Sequence, residues 1–538
     1  MSDALPNAPM DDVICCLDKL NQSASLTATE AAILSRSTTA PVVKAAVLAR
    51  LLHRPATNIE TQLCAQLAAE LPDVTATLRS AFPEHCSALS VPTVNPHPRV
   101  TRVLRADWTD GAARCADLRA FLDDYVHERL PSHLVAAWLG TVMERGMSME
   151  CLHDMTHAMK DSGRTYDYRG AAPLAGRKLV RRYPTGGLSE KAALILPSVL
   201  VKAATNIPIA SNFLVARSLG FTGGTWDKLS AIPGFRFPEP GDESIEVMSR
   251  CGVAMTVTHG DLNPADRKLY QLRSVTGTIE SHELIVASIA SKQLAVPADH
   301  LLLDVRYGEG AFLRSEAEAR RCADAMLSVV AEGGVPCSAH LTDTPQPNGM
   351  AIGNALEVAE ALATMGIGAS SDWDARALRE QRELVLTFYG LLMLRAHGSA
   401  TTDAWVIEAR GWFESGEVGL AFETLLEAHG VRPQTIDALR QNPFGTLGLS
   451  GVHIPVASAR EGQLLRIDQR RLGHLVNFGL GAGGNDYGGA FRARAGIRIG
   501  FRIGDHINEG QPLCWIFSVE PQVTDEFIVA VKECFIVG

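Results

Sequence analysis

Apolar residues recur at helical spacing in residues 31–34, 42–52 and 63–71, so the chain opens on short helices that run to about residue 95. The Pro- and His-containing stretch 91–99 reads as a linker. A second helical set follows over 116–163. From Arg177 the pattern changes. Strand-like runs at 178–182, 301–306 and 336–341 alternate with helical runs at 194–201, 315–331 and 354–365. That alternation predicts an α/β region built on a largely parallel sheet. Beyond about residue 445 the chain is Gly-rich with short alternating strands, as in a small β domain.

A length of 538 residues exceeds one compact core and predicts two to four domains. Hydrophobic residues at 46% and charged ones at 20% are ordinary for a globular enzyme. A formal charge of -10 argues against broad binding to nucleic acid or to an anionic membrane, and leaves room for a local basic pocket. The first residues lack a basic region followed by an apolar run, and apolar stretches such as 192–201 are too short to span a bilayer. Eleven cysteines without a CxxC pair predict free thiols in a reducing, cytoplasmic setting. His153 and His157 stand at i, i+4, a metal-ligand spacing with no third ligand nearby, and read as a solvated helix face.

Three segments carry candidate chemistry. Tyr183-Pro-Thr-Gly-Gly-Leu-Ser-Glu-Lys191 lies between a strand-like run and a helix, directly after Arg181 and Arg182. Paired glycines let the backbone approach a ligand closely, and a helix start offers free N–H groups to an anion. In Leu219-Gly-Phe-Thr-Gly-Gly-Thr-Trp-Asp-Lys-Leu229, Thr225 is placed as an N-cap with Asp227 in the first turn. The third segment is Arg273 followed by a helix over 281–293. Ser288 and Lys292 are four apart there and share a face. A hydroxyl and an ammonium on one face can read the polar edge of a planar base.

Read together, these segments resemble the thymidine and pyrimidine-nucleoside phosphorylases. The family's Lys-His-Ser-Thr-Gly-Gly loop corresponds to Arg182-Tyr-Pro-Thr-Gly-Gly187. Its His-Thr-Gly-Gly-Thr-Leu-Asp-Lys-Leu segment, leading to Ile-Pro-Gly-Phe, corresponds to Phe221-Thr-Gly-Gly-Thr-Trp-Asp-Lys-Leu229 and Ile232-Pro-Gly-Phe235. Leu262-Asn-Pro-Ala-Asp-Arg-Lys-Leu-Tyr-Gln-Leu-Arg273, Leu303-Asp-Val-Arg-Tyr-Gly-Glu-Gly-Ala-Phe312 and Gly353-Asn-Ala-Leu-Glu-Val358 match further motifs in the same order. The likeness spans roughly residues 120–538.

The resemblance implies an α/β multidomain protein. Residues 1–110 would be a helical N-terminal extension, with packing or oligomerisation as its default role. Residues 115–175 plus 262–296 would form a small helical lobe for base binding and dimerisation. Residues 177–260 plus 297–435 would form a large α/β lobe with a mostly parallel sheet, and 440–538 a small C-terminal α+β or β domain. The substrate would sit between the lobes, whose closure joins base and phosphate. Arg273, Ser288 and Lys292 would hold the base, with Arg273 and Lys292 stabilising it as it leaves. Tyr183 would be the proton donor. Arg182, Thr185, Gly186, Gly187, Ser211 and Thr225 would hold phosphate. The implied reaction is reversible phosphorolysis of a pyrimidine (deoxy)nucleoside, a pentosyl transfer. It needs no metal and no cofactor beyond inorganic phosphate as co-substrate. The implied partners are the nucleoside, phosphate and a second copy of the chain, with no nucleic acid and no membrane.

The phosphate side departs from the family pattern. The loop Lys is Arg182, its neighbouring His is Tyr183, the following Ser is Pro184, and a later helix Ser is Ala193. Arginine binds phosphate as a fork instead of a point charge. Each lost hydroxyl bond to a charged group removes about 1.5–3 kcal/mol, unless Arg181, Lys191 or the roughly four extra residues before Arg217 compensate. Tyrosine, with an ordinary pKa near 10, is a weak acid at neutral pH. Alternative readings are a nucleotide phosphorylase of the AMP type, a phosphoribosyltransferase, and a base-binding paralogue without turnover.

Overall fold

The structure is a computed structural model. It describes residues 10–538 except 88, 90–93, 107–116, 259–260, 369, 399–400, 452, 484–490 and 519–522. The chain forms two compact units. One comprises Met1–Thr165, His259–Ala295 and Asp324–Val329, and the other Tyr166–Thr258, Val296–Ala323 and Val330–Gly538. No helix among the described residues is long and apolar enough to cross a membrane.

The first unit is helical. Its tightest crossing sets the Pro41–Leu52 helix against the Ser132–Arg145 helix, where a Cβ on Gly140 would stand 2.5 Å from the Ala46 carbonyl oxygen. Only glycine permits that approach. Arg50, 1% exposed, stands beside the crossing and pairs with Glu144 at 2.6 Å. The helices Ala28–Ser35 and Asn58–Glu70 both start on capping boxes, Thr27 with Glu30 and Thr57 with Glu60. The helices Pro264–Thr276 and His282–Ala295 complete the unit and carry the base-side candidates.

The second unit is built on five parallel strands: β1 (Lys178–Pro184), β2 (Ile209–Val215), β3 (Val253–Val257), β4 (His300–Tyr307) and β5 (Cys337–Asp343). Their order is β3-β2-β1-β4-β5. β2 and β3 are buried along their whole length, as strands covered on both faces must be. The chain leaves β1 toward β2 and β3, then crosses to β4 on the other side. The order therefore reverses between β1 and β4, and in such sheets ligands bind outside the carboxyl ends of the strands at that point.

Beyond these strands come two small antiparallel sheets, all of whose strands except Ala351–Ile352 lie after residue 450. β6 (Ala351–Ile352), β7 (His453–Ala457), β9 (Gly496–Ile499) and β11 (Pro512–Phe517) make one, in the order β6-β9-β11-β7. β8 (Gly462–Ile467), β10 (His506–Ile507) and β12 (Phe535–Val537) make the other. Nine described cysteines are free thiols, and Cys151, which is disulfide-bonded, departs from the all-thiol expectation.

Candidate active site

The Gly-Gly loop leaves β1 at the point of strand reversal. Its first residues stay tied to β4. Thr185 N donates to the Asp304 carbonyl at 2.9 Å, and Arg306 N donates to Thr185 Oγ1 at 2.9 Å. Gly186 adopts φ 95, which favours glycine. Gly187 passes so close to the chain after β4 that a Cβ there would meet the Gly310 carbonyl at 2.9 Å, with Arg306 Nη1 at 3.6 Å.

Beneath the loop is a buried charge cluster. Arg182 donates to Glu190 at 2.9 Å and to Asp304 at closer range, and its guanidinium lies over the Phe388 ring at 4.3 Å. Arg306 Nε stands 3.7 Å from the same Asp304 carboxylate. Lys228 pairs with Glu357 at 2.7 Å and donates to the Glu190 carbonyl at 2.7 Å. Lys191, fully buried, stands 3.1 Å from Glu360 and donates to the carbonyls of Asn348 at 2.6 Å and Ala351 at 3.1 Å. It also bonds Ser189 Oγ, and that clamp holds Ser189 at φ 60, a strained value for a residue with a Cβ.

Arg182, Lys191, Lys228 and Arg306 are thus matched by Glu190, Asp304, Glu357 and Glu360. Burial alone would raise the Glu190 carboxyl, but Arg182, Arg306 and Lys228 overcome it and hold the group at about 2. Donor capacity is still left over. Among the described residues, Nε and Nη1 of Arg182, and Nε and Nη1 of Arg306, are buried without a hydrogen-bond partner. Buried N–H groups of this kind call for an acceptor, and an oxyanion supplies several.

The other loop-side candidates spread out. Tyr183 is half-buried on β1, opposite Leu303. Thr225 is the first residue of the Thr225–Ser230 helix, and the N-cap is Gly224, not Thr225. A Cβ at 224 would stand 2.3 Å from Arg217 C, so the tight turn reserves the cap position for glycine. Asp227 takes over the capping by accepting from Ser218 N at 2.6 Å and Gly224 N at 3.3 Å, while burial pushes its carboxyl up to about 6. Ser211 pairs with Val253 near the start of β2. Four residues separate it from the strand's carboxyl end at Val215, roughly 13 Å at 3.3 Å per residue. Arg181 points to the opposite face from Arg182 and donates to the Asn212 carbonyl at 3.3 Å.

In the helical unit the structure brings the base-side candidates together. Lys292 Nζ donates to Ser288 Oγ at 2.9 Å and to Asp266 Oδ2 at 2.6 Å. Asp266 comes from the Pro264–Thr276 helix, whose N-cap Asn263 accepts from Asp266 N and bonds Ser291 at 2.8 Å. Arg273, near the end of that helix, gives Nη1 to the Leu284 carbonyl at 2.9 Å and Nη2 to that of Ile279 at 2.6 Å, with Nε 3.3 Å from that of Thr278. Burial lowers the Arg273 guanidinium to about 10, which leaves it charged at neutral pH.

Known proteins are similar to this chain. A family model described as the glycosyl transferase family a/b domain covers residues 177–418. The chain is 32% identical over 417 residues to the pyrimidine-nucleoside phosphorylase of Bacillus subtilis (strain 168), covering 78% of this chain and 91% of that protein. The chain belongs to the family of thymidine and pyrimidine-nucleoside phosphorylases. Other members are similar at the same level. The thymidine phosphorylase of Agrobacterium fabrum is 30% identical over 421 residues, 78% of this chain and 91% of that protein. The pyrimidine-nucleoside phosphorylase of Geobacillus stearothermophilus is 31% identical over 413 residues, 76% of this chain and 89% of that protein. The solved structure of anthranilate phosphoribosyltransferase (TrpD) from Thermus thermophilus aligns with 62% of this chain and 99% of its own, at 16% identity and a TM-score of 0.44.

Within this family member, sequence reading passed over Arg306, Lys228 and Asp266 as site residues. Each stood inside a matched motif: Arg306 in Leu303-Asp-Val-Arg, Lys228 in Thr225-Trp-Asp-Lys, and Asp266 in Asn263-Pro-Ala-Asp. A charged residue inside a matched motif was the available signal.

Proposed function

We propose that the protein catalyses reversible phosphorolysis of a pyrimidine nucleoside or deoxynucleoside, thymidine or uridine, yielding free base and pentose 1-phosphate. The observation that carries the reading is the hydrogen-bonded set Ser288, Lys292 and Asp266 beside an immobilised Arg273. Breaking the glycosidic bond leaves negative charge on the base and positive charge on the sugar. Arg273 and Lys292 stabilise the departing anion, and one preorganised donor of this kind is worth about 3–4 kcal/mol, or roughly 10²–10³ in rate. Ser288 orients the ring.

Phosphate enters as co-substrate under the Thr185-Gly186-Gly187 loop, where Arg182 and Arg306 have N–H groups to give. It attacks C1′ from the face opposite the base, and Tyr183 is the candidate proton donor. Ser211 and Thr225 are secondary in this reading, Ser211 because of its place low on β2. Homodimerisation, from the family resemblance, and a cytoplasmic setting, from cysteines that are mostly free thiols, belong to the same proposal.

The test is incubation of the purified protein with uridine, thymidine, deoxyuridine and AMP, each with and without inorganic phosphate. Phosphate-dependent release of uracil or thymine supports the reading. Release from AMP alone assigns a nucleotide phosphorylase. Binding of free base with no turnover at any phosphate concentration assigns a base-binding paralogue.

A further inference from the structure

The grip on Arg273 depends on a turn. Two of its three carbonyl acceptors, Thr278 and Ile279, lie in the turn after the Pro264–Thr276 helix, so the placing of the guanidinium depends in large part on that turn. The turn opens at Gly277, a left-handed C-cap with φ 67. Gly277 carries no side chain to anchor it; the Thr276 and Thr278 hydroxyls bond across it at 2.9 Å, and further support comes from the far N-terminal part of the chain.

Leu17, on the Met10–Asn21 helix, packs onto Gly277 so closely that a Cβ there would lie 2.8 Å from Leu17 Cβ. Leu17 is 3% exposed and Leu20 1%. At the end of the same helix, Asn21 Nδ2 donates to Glu280 Oε1 at 3.4 Å, on the far side of the turn. Asn21 Oδ1 accepts from Arg50 Nη1 at 2.8 Å, and Arg50 Nε is bonded to Glu144 at 2.6 Å. A continuous series of bonds, Glu144 to Arg50 to Asn21 to Glu280, therefore links two helices of the core to residues 277–280. All of these groups belong to one compact unit.

We infer that the Met10–Asn21 helix is a positioning element for the base pocket, with Leu17 and Asn21 fixing the turn that aims Arg273. The inference rests on Arg273 being a base ligand. It gives residues that precede the family likeness a role in the reaction: they replace backbone rigidity that a glycine turn cannot supply alone. The effect falls on the base and spares phosphate, because Arg182 and Arg306 belong to the other unit.

The test uses the full chain with Asn21→Ala, with Leu17→Ala, and with Leu17→Met as the conservative control. Asn21 is half-buried, and its truncation takes one acceptor from buried Arg50, whose Nε keeps its bond to Glu144, so a urea midpoint is measured beside the affinities to identify folded protein. Expected results are a roughly tenfold rise in nucleoside KM and in the uracil Kd for both Ala variants, phosphate KM within about twofold of wild type, and near wild-type behaviour for Leu17→Met. Amide exchange over 277–284 should quicken in both Ala variants while exchange over 185–191 stays unchanged. Unaltered base affinity in a folded Asn21→Ala protein overturns the inference, as does an equal loss in both KM values. If wild type binds no base at all, the reading of Arg273 fails, and exchange over 277–284 alone decides whether the helix supports the turn: unchanged exchange overturns it.

Discussion

The base half and the phosphate half of this protein fix their cations by different means. In the helical unit, Arg273 gives its N–H groups to backbone carbonyls and Lys292 faces a single carboxylate, Asp266. That set, Arg273 and Lys292 against Asp266, carries one more positive than negative charge, which suits the anionic leaving base of the proposed reaction. In the α/β unit, four cations meet four carboxylates, so the cluster is formally neutral before any ligand arrives. Under the proposed function, the first arrangement directs its surplus charge at the leaving base, while the second uses most of its charge to hold a loop and leaves N–H groups of Arg182 and Arg306 for phosphate. The base-side candidates Arg273, Ser288 and Lys292 keep the residue types of the family motifs, whereas the phosphate side keeps Thr185-Gly186-Gly187 and Thr225 but departs at Arg182, Tyr183, Pro184 and Ala193.

Breaking the buried cluster should have the largest effect. Arg182→Met leaves Asp304 and Glu190 without their main partner inside the fold. Uncompensated buried charge of this kind costs about 3–5 kcal/mol. Urea denaturation should show the loss, and an unchanged midpoint would mean that the cluster does not hold the loop. Lys292→Met should lower kcat/KM by roughly 10²–10³, while nucleoside-independent phosphate binding stays as in wild type. Equal damage to phosphate binding would erase the division of labour between the halves.

A third prediction concerns acid. The folded-state pKa of Glu190 is depressed to about 2, below its ordinary value. Its contribution to stability is therefore fully present above the ordinary carboxylate range and is lost as pH falls from about 4.5 toward 2. Denaturation midpoints measured across that window should fall with pH, and Glu190→Gln should flatten that dependence from an already lower starting stability. Ser211→Ala should do least. Its place low on β2 predicts a phosphate KM within about twofold of wild type. A large rise would return Ser211 to the phosphate site.

What the sequence disclosed followed the range of the interactions. Ser288 and Lys292 are one helical turn apart, so the spacing alone put them on one face, and the structure joins them at 2.9 Å. The α/β class was legible because strand runs alternate with helices along the chain. The capping error at Thr225 was a shift of one residue, decided by a glycine packed against Arg217. The charge cluster was not legible. Asp304 reaches Arg182 only because β1 and β4 pair in the register that sets Pro184 opposite Asp304, a relation across about 120 residues that no local pattern encodes. Nor was the support from Leu17 and Asn21, since a helix without chemical residues gives no sign of the turn it packs against.

The most direct test of the account is base release from uridine and thymidine by wild type and by Lys292→Ala, followed by chromatography with and without inorganic phosphate. The account predicts release that requires phosphate in wild type and falls by roughly 10²–10³ in the variant. Phosphate-independent release, or release that survives in Lys292→Ala, would contradict it.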